Sequence, residues 1–251
     1  MFSVIFPGQG SQSVGMTKEL YDNFSYVRDL FKEADEVLGY SISKIILEGS
    51  KEDLDLTENT QPAIFLSSYS IFEMIKNESD IDLGNAKYFA GHSLGEYSAL
   101  STSGSLDFKN AIKLLNQRGK AMQTAVPKGT GGMVAVLGLE IKEINNLLEE
   151  NQNNFQCYIA NDNSNGQVVL SGLNSEIDKF IETLKLKKIK NIKLPVSAPF
   201  HCKLMSKATF IMSEKINSTN FEKPKNNIIS NVTGSETQEV EKIKDLLIKQ
   251  I

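Results

Sequence analysis

The stretch Tyr88-Phe89-Ala90-Gly91-His92-Ser93-Leu94-Gly95-Glu96-Tyr97 decides how the chain reads. It contains Gly-x-Ser-x-Gly, with Ser93 at the centre. A short apolar run with strand character precedes it, and Glu96 to Leu100 reads as the start of a helix. In that setting the motif is a serine on a tight strand-to-helix turn. The turn is crowded, so Gly91 and Gly95 leave room for the neighbouring backbone. The serine oxygen projects from the end of a sheet, near a helix N-terminus, where free N–H groups and the helix dipole favour developing negative charge. Glycine and serine are common, and the bare pattern also arises by chance. The strand before it and the helix after it are what give it meaning.

The whole chain sets the bounds. Its 251 residues suit one large domain or two unequal ones. Hydrophobic residues make up 40% and charged residues 23%, ordinary for a globular protein. The net charge of −4 argues against non-specific nucleic-acid binding. No run of about 20 apolar residues marks a membrane span. The first residues, Met1 to Pro7, lack the basic and long apolar regions of a signal peptide. Cys157 and Cys202 are the two cysteines, which makes a disulfide framework or a zinc site improbable. A reduced, cytoplasmic setting is expected.

Outward from the serine turn, Phe2 to Phe6 reads as a buried strand that breaks at Pro7-Gly8-Gln9-Gly10-Ser11-Gln12. Gly8, Gly10 and Gly15 do not make the Gly-x-Gly-x-x-Gly dinucleotide spacing, so no nicotinamide site is expected. The loop's backbone N–H groups could instead face a substrate. Ser25 to Leu38 reads as a helix. Gln61-Pro62 opens another through about Lys76, with Pro62 suited to its first turn. Asp107 caps a helix from Phe108 to about Ala125. On it, Arg118 falls in the gap of the apolar stripe made by Ala111, Leu114, Leu115, Ala121 and Met122. No carboxylate stands one turn away to pair with it. A buried guanidinium without a partner is expensive, so a distant acid or a ligand anion pairs with it, unless the side chain snorkels to solvent.

The pattern changes after the Pro127–Gly132 loop. Met133–Leu137 is a strand, Glu140–Glu149 a helix, Gln156–Ala160 and Gln167–Ser171 strands. A helix capped by Ser175 follows, then the strand Ile189–Leu194. That order is βαββαβ, the ferredoxin-like arrangement. The expected architecture is therefore α/β: a hydrolase-like, mostly parallel sheet flanked by helices, made by residues 1–125 and 198–251, with a small ferredoxin-like domain at 126–197 inserted into it. Pro195 to Cys202 is an extended return to the large domain. A helix from about Lys203 to Ile216, a strand Asn227–Val232 and a last helix Val240–Ile251 complete the reading.

The serine needs a base, and neutral histidine is the usual one. Of the two histidines, His92 adjoins Ser93 in a tight turn, where neighbouring side chains point apart. That leaves His201. A hydrolase would place an acid between serine and histidine to orient the imidazole. The acids in between, such as Asp162 and Asp178, fall in the inserted domain; a backbone carbonyl is the alternative.

Taken together, Phe6-Pro7-Gly8-Gln9-Gly10-Ser11-Gln12, Gln61-Pro62-Ala63, Gly91 to Leu100, Gln117-Arg118-Gly119 with Met122, Gly166-Gln167-Val168-Val169, Pro199-Phe200-His201 and Asn231-Val232 occur in one family's order over the whole chain. The sequence resembles the malonyl-CoA:acyl carrier protein transacylases of type II fatty acid synthesis and the acyltransferase domains of polyketide synthases. The resemblance implies a ping-pong transfer from malonyl-CoA to acyl carrier protein, through a malonyl ester on Ser93 with His201 as base. It implies that the backbone N–H groups of Gln9 and Leu94 hold the oxyanion and that Arg118 pairs with the malonyl carboxylate. It further implies that Phe200 favours malonyl over methylmalonyl, and that the backbone carbonyl of Gln250 orients the histidine. No cofactor, metal, nucleic acid or membrane is implied, and a monomer is expected. Family members continue for several tens of residues past the position of Ile251, usually with another strand and a Gly-Pro-Gly turn. The chain thus reads as C-terminally truncated, with exposed apolar surface, an unpaired sheet edge, and less stability and activity than a full-length relative. A serine hydrolase with water as acceptor, or a remnant that only binds carrier protein, are the competing readings.

Overall fold

The computed structural model describes residues 1–127, 129–196 and 198–251. Lys128, in the expected Pro127–Gly132 loop, and Ser197, in the expected Pro195–Cys202 connection, lie outside them. In chain order the elements begin with β1 (Ser3–Phe6), α1 (Lys18–Asn23), α2 (Ser25–Leu38), α3 (Ile42–Glu48), α4 (Lys51–Leu54) and α5 (Thr57–Glu78). Then come β2 (Tyr88–Gly91), α6 (Gly95–Thr102), α7 (Phe108–Thr124), β3 (Gly131–Leu137), α8 (Ile141–Glu150), β4 (Cys157–Ser164) and β5 (Gln167–Leu173). The chain continues through α9 (Asn174–Leu186), β6 (Lys190–Lys193), α10 (Ser206–Ser218), β7 (Asn227–Ile229), β8 (Glu236–Thr237) and α11 (Val240–Lys249). These fall into two compact units, Met1–Lys120 with Met212–Gln250, and Ala121–Ile211 with Ile251.

The first unit holds a sheet of order β1-β2-β7-β8, parallel across β1, β2 and β7 and antiparallel at β8. Phe6 pairs with Gly91 and Ala90 with Ile229, so the three parallel strands end side by side. The loops they release are Pro7-Gly8, His92-Ser93 and Ser230-Asn231. In open α/β sheets ligands bind at this carboxyl edge. Helices flank the sheet, and Phe31, Ile46, Phe65, Leu100, Leu115 and Leu247 are among the buried residues of the unit.

Four expectations are corrected here. The strand Phe2–Phe6 is not buried: β1 is an outer strand, Ile5 is 75% exposed, and only Phe6 is buried, against Phe72 and within 6.3 Å between ring centres. The helix at Pro62 starts a turn earlier, at Thr57, so Pro62 lies inside it. An internal proline leaves the carbonyl four residues back without its donor. Here that carbonyl belongs to Glu58, and the Asn116 side chain donates to it at 3.0 Å. The strand at Asn227 stops at Ile229, because the chain turns at Ser230–Gly234 and returns as β8. The last helix stops at Lys249 rather than Ile251, with Gln250 as its cap. The short helices α1, α3 and α4 had no counterpart in the sequence reading. Asp107 does cap α7, its carboxylate accepting from the Asn110 N–H at 2.9 Å.

The second unit is a four-stranded antiparallel sheet of order β4-β5-β3-β6, joined as βαββαβ. This is the ferredoxin-like arrangement. Val134, Val136, Val168 and Leu170 of the sheet pack with Ile144 and Leu147 of α8 and Ile177, Phe180 and Leu184 of α9. A capping box between Glu140 and Glu143 starts α8. Ser175 does not cap α9. The helix begins at Asn174 with Leu173 before it, and the Asn174 side chain instead donates to the Gly129 carbonyl. The unit divides from the first at 120/121 and 211/212, against the expected 125/126 and 197/198. Contacts of the Pro199–Phe200 loop explain part of this. A Cβ at Gly131 would meet the Pro199 ring at 2.1 Å, and the Ser171 hydroxyl donates to the Phe200 carbonyl at 2.5 Å.

Candidate active site

The strand β2 runs into α6 through His92, Ser93 and Leu94. Ser93 has φ of +52°, in the left-handed region that non-glycine residues seldom occupy. Such a conformation persists only where its surroundings over-determine it. They do so here. A Cβ on Gly91 would lie 2.0 Å from the Gly95 carbonyl, and one on Gly95 would lie 2.7 Å from the carbonyls of Phe6 and Pro7. Both glycines therefore let backbone touch backbone. Asn231, from the loop after β7, holds the turn from outside: its Oδ1 accepts the Ser93 N–H at 2.6 Å, and its Nδ2 donates to the Gly91 carbonyl at 2.6 Å. The Gly95 and Glu96 N–H groups bond back to His92 and Ser93. None of these bonds uses the Leu94 N–H, at the head of α6.

The loop after β1 lies on this turn. A Cβ on Gly8 would meet His92 Nδ1 at 2.5 Å and its carbonyl at 2.7 Å. Gln9 follows directly. The loop is closed by the Ser11 hydroxyl on the Gly8 carbonyl, and Gln12 ties it to Gly10 and Asp55. The Gln9 N–H takes no part in those bonds.

Arg118 is buried at 1% exposure, on the inner face of α7 as its place in the stripe predicts. Gly119 lets α7 approach α5 this closely, since a Cβ there would meet the Thr57 carbonyl at 2.5 Å. The guanidinium donates to Gln61 Oε1 at 2.9 Å, Gln250 Oε1 at 3.0 Å and Ser93 Oγ at 3.2 Å. It lies 5.8 Å from the centre of the Tyr97 ring, and its Nε has no partner among the described residues. Each of these acceptors is neutral. Among the described residues no acid pairs directly with Arg118. Burial pushes the guanidinium's pKa down, and the nearby Tyr97 and Glu96 oppose this.

Beneath the turn lies Glu96, 2% exposed. Its Oε2 accepts from Gln250 Nε2 at 2.7 Å and from the Asn231 N–H at 3.1 Å. Burial raises its pKa to about 7, against the lowering effect of those two bonds and of Arg118. Gln250 is a junction: one end of its amide accepts from Arg118, the other donates to Glu96 and to the Ser93 carbonyl at 3.2 Å. Its side chain belongs to the site.

Phe200 and His201 stand in the second unit. Phe200 is buried. His201 is half-buried with φ of +57°, a second strained non-glycine residue. The bond from Ser171 to the Phe200 carbonyl and one from Cys202 Sγ to the Pro199 carbonyl brace its loop. The first unit thus brings together Ser93, Leu94, Arg118 and Gln250, with Gln9 on the adjoining loop, while the second presents Phe200 and His201. The sequence reading gave no role to Gln61, Asn231 or Glu96. All three had appeared within matched motifs. Glu96 was read only as the start of a helix, and an acid in a first helical turn is favoured by the dipole in solvent too, so the type alone gives no signal.

A strained serine at the carboxyl edge of a mostly parallel sheet, with a buried guanidinium on its hydroxyl, is the arrangement of an α/β acyltransferase. The acyl transferase domain family matches residues 3–245, and the chain belongs to that family. It is 41% identical to the malonyl CoA-acyl carrier protein transacylase of Bacillus subtilis over 98% of this chain and 77% of that protein. With the protein of the same name from Haemophilus influenzae it shares 37% identity, over 100% of this chain and 80% of that one. Among solved structures, the malonyl CoA-acyl carrier protein transacylase of Coxiella burnetii superposes with a TM-score of 0.93 at 37% identity, over 99% of this chain and 78% of that one. A malonyl-transacylase in complex with a type II polyketide acyl carrier protein does so with a TM-score of 0.93 at 37% identity, over 99% and 80%.

Proposed function

We propose that the chain transfers the malonyl group from malonyl-CoA to the phosphopantetheine thiol of acyl carrier protein, as part of fatty acid biosynthesis. The observation that carries this is Arg118, buried, within 3.2 Å of Ser93 Oγ and surrounded by neutral acceptors. A guanidinium so placed suits a carboxylate presented beside an acyl group bound to the serine, and its planar fork suits bidentate pairing.

In this mechanism His201 takes the Ser93 proton as Oγ attacks the thioester carbonyl. The N–H groups of Gln9 and Leu94 hold the oxyanion; one such donor is worth about 2.7–4 kcal/mol of barrier. The intermediate collapses, and the coenzyme A thiolate leaves with the proton from His201. The pantetheine thiol, deprotonated by His201, then attacks the malonyl ester, and Ser93 recovers its proton. Phe200 lines the acyl side and restricts it to malonyl, and the Gln250 carbonyl orients the imidazole. Neither cofactor nor metal is required. On this proposal the chain is a cytoplasmic monomer. Among the described residues no helix is long and apolar enough to cross a membrane.

The test is incubation with malonyl-CoA, with and without acyl carrier protein, read by mass spectrometry. Malonyl-carrier and little free malonate support transfer. Free malonate regardless of carrier makes the chain a hydrolase instead.

A further inference from the structure

Glu96 has no part in the acyl transfer described above, yet it is one of the two charged side chains buried in the site; the other is Arg118. The two do not pair directly. The Gln250 amide stands between them, taking a hydrogen bond from the guanidinium on Oε1 and giving one to the carboxylate from Nε2. Facing Glu96 are Arg118 from α7, the Tyr97 phenol of its own helix, and the uncharged Asn231 and Gln250. Among the elements packed on α6, β1 carries no titratable side chain and β2 only Tyr88. The acids of α5 are engaged elsewhere: Glu58 lies near Tyr40, Glu73 bonds Lys76 and Glu78 accepts from Tyr26.

Before loading, the buried cluster is electrically balanced: one guanidinium, one carboxylate, neutral amides between. Bringing the malonyl carboxylate to Arg118 adds a second buried negative charge, which the single guanidinium cannot offset. Like charges confined to one dry site do not both stay ionised. We propose that Glu96 is the proton-linked counter-charge of Arg118: ionised while no acyl carboxylate is present, and protonated from solvent when the malonyl carboxylate takes over the guanidinium. This rests on the reading of the site as a malonyl transferase. Both neighbouring N–H donors address Oε2, so Oε1 is the oxygen that takes the proton. No bond to the acyl group forms or breaks at Glu96; it acts as a positioning and charge-balancing residue. The raised pKa of Glu96 places this exchange near neutral pH.

Two readouts follow. The malonyl-to-acetyl ratio of kcat/KM cancels titration of the shared base, which serves both acyl groups. In the wild type that ratio falls with rising pH, approaching about tenfold per pH unit above neutrality. In Glu96→Gln the amide oxygen can replace Oε2 for both donors, and the ratio becomes flat with pH and exceeds the wild type at pH 8. A ratio with the same pH dependence in both proteins overturns the proposal. The second readout needs no variant: in weak buffer near pH 7.5 with an indicator dye, loading by malonyl-CoA takes up protons and loading by acetyl-CoA does not. Intact mass of the same samples separates the outcomes. A malonyl adduct on Ser93 without proton uptake overturns this proposal alone, whereas no adduct overturns the functional reading and this proposal with it.

Discussion

Replacing Arg118 by alanine removes a guanidinium that touches Gln61, Gln250 and Ser93 Oγ. What each acyl group loses differs. For malonyl the carboxylate is left in a dry site without its cation, which costs about 2–5 kcal/mol. At 1.4 kcal/mol per tenfold, kcat/KM for malonyl transfer falls by roughly 30-fold to several thousandfold. Acetyl brings no carboxylate. It loses only the bond to Ser93 Oγ, long at 3.2 Å, and a neutral-acceptor bond of this kind contributes about 0.5–1.5 kcal/mol. Acetyl transfer therefore falls by roughly tenfold at most, and it rises if the guanidinium had been excluding the uncharged group. The assay is kcat/KM for both thioesters with one carrier protein, on variants whose thermal unfolding shows them folded. An equal loss for malonyl and acetyl refutes the reasoning and makes Arg118 a structural brace.

Other positions are as open to test. Gly91→Ala puts a Cβ into the Gly95 backbone, which no rotamer relieves; a loss at or beyond the upper end of the usual 1–3 kcal/mol for overpacking is expected from denaturant midpoints. Asn116→Ala leaves the Glu58 carbonyl unpaired beside Pro62, at about 1–3 kcal/mol. In a Pro62→Ala background the restored N–H can take that carbonyl, so the Asn116 penalty shrinks in a double-mutant cycle. Glu96 has a folded pKa near 7 against an ordinary value of 4.5, so the folded state holds its proton more tightly. Its contribution is fully present below pH 4.5 and is lost as pH rises to 7. Glu96→Gln should therefore gain about 3 kcal/mol relative to the wild type between those limits, seen as diverging chemical-unfolding curves.

The serine turn was legible because its sequence carries its own geometry. Two glycines mark where backbone meets backbone, and both close approaches are there. Arg118 was legible as a break in an apolar stripe. The βαββαβ order of the second unit followed in part from periodicity, since α8 and α9 each bury one apolar stripe in its core. Other features stayed hidden for identifiable reasons. Pro62 looks like a helix start because its defect inside the helix is repaired by Asn116, far away in sequence. The helices α1, α3 and α4 are too short for a periodic signal. The exposure of Ile5 depends on strand order, which no local pattern encodes. Glu96 and Asn231 work through bonds between residues 135 to 154 apart in the chain. Nothing near Glu96 in sequence announces that its carboxylate turns inward.

The central claim is that Ser93 carries the malonyl group, and intact-mass spectrometry with peptide mapping tests it most directly. Brief incubation with malonyl-CoA alone should add one malonyl mass to the chain, located on Ser93, absent from Ser93→Ala and discharged on adding holo acyl carrier protein. A chain that never gains that mass, or gains it equally in Ser93→Ala, contradicts the account.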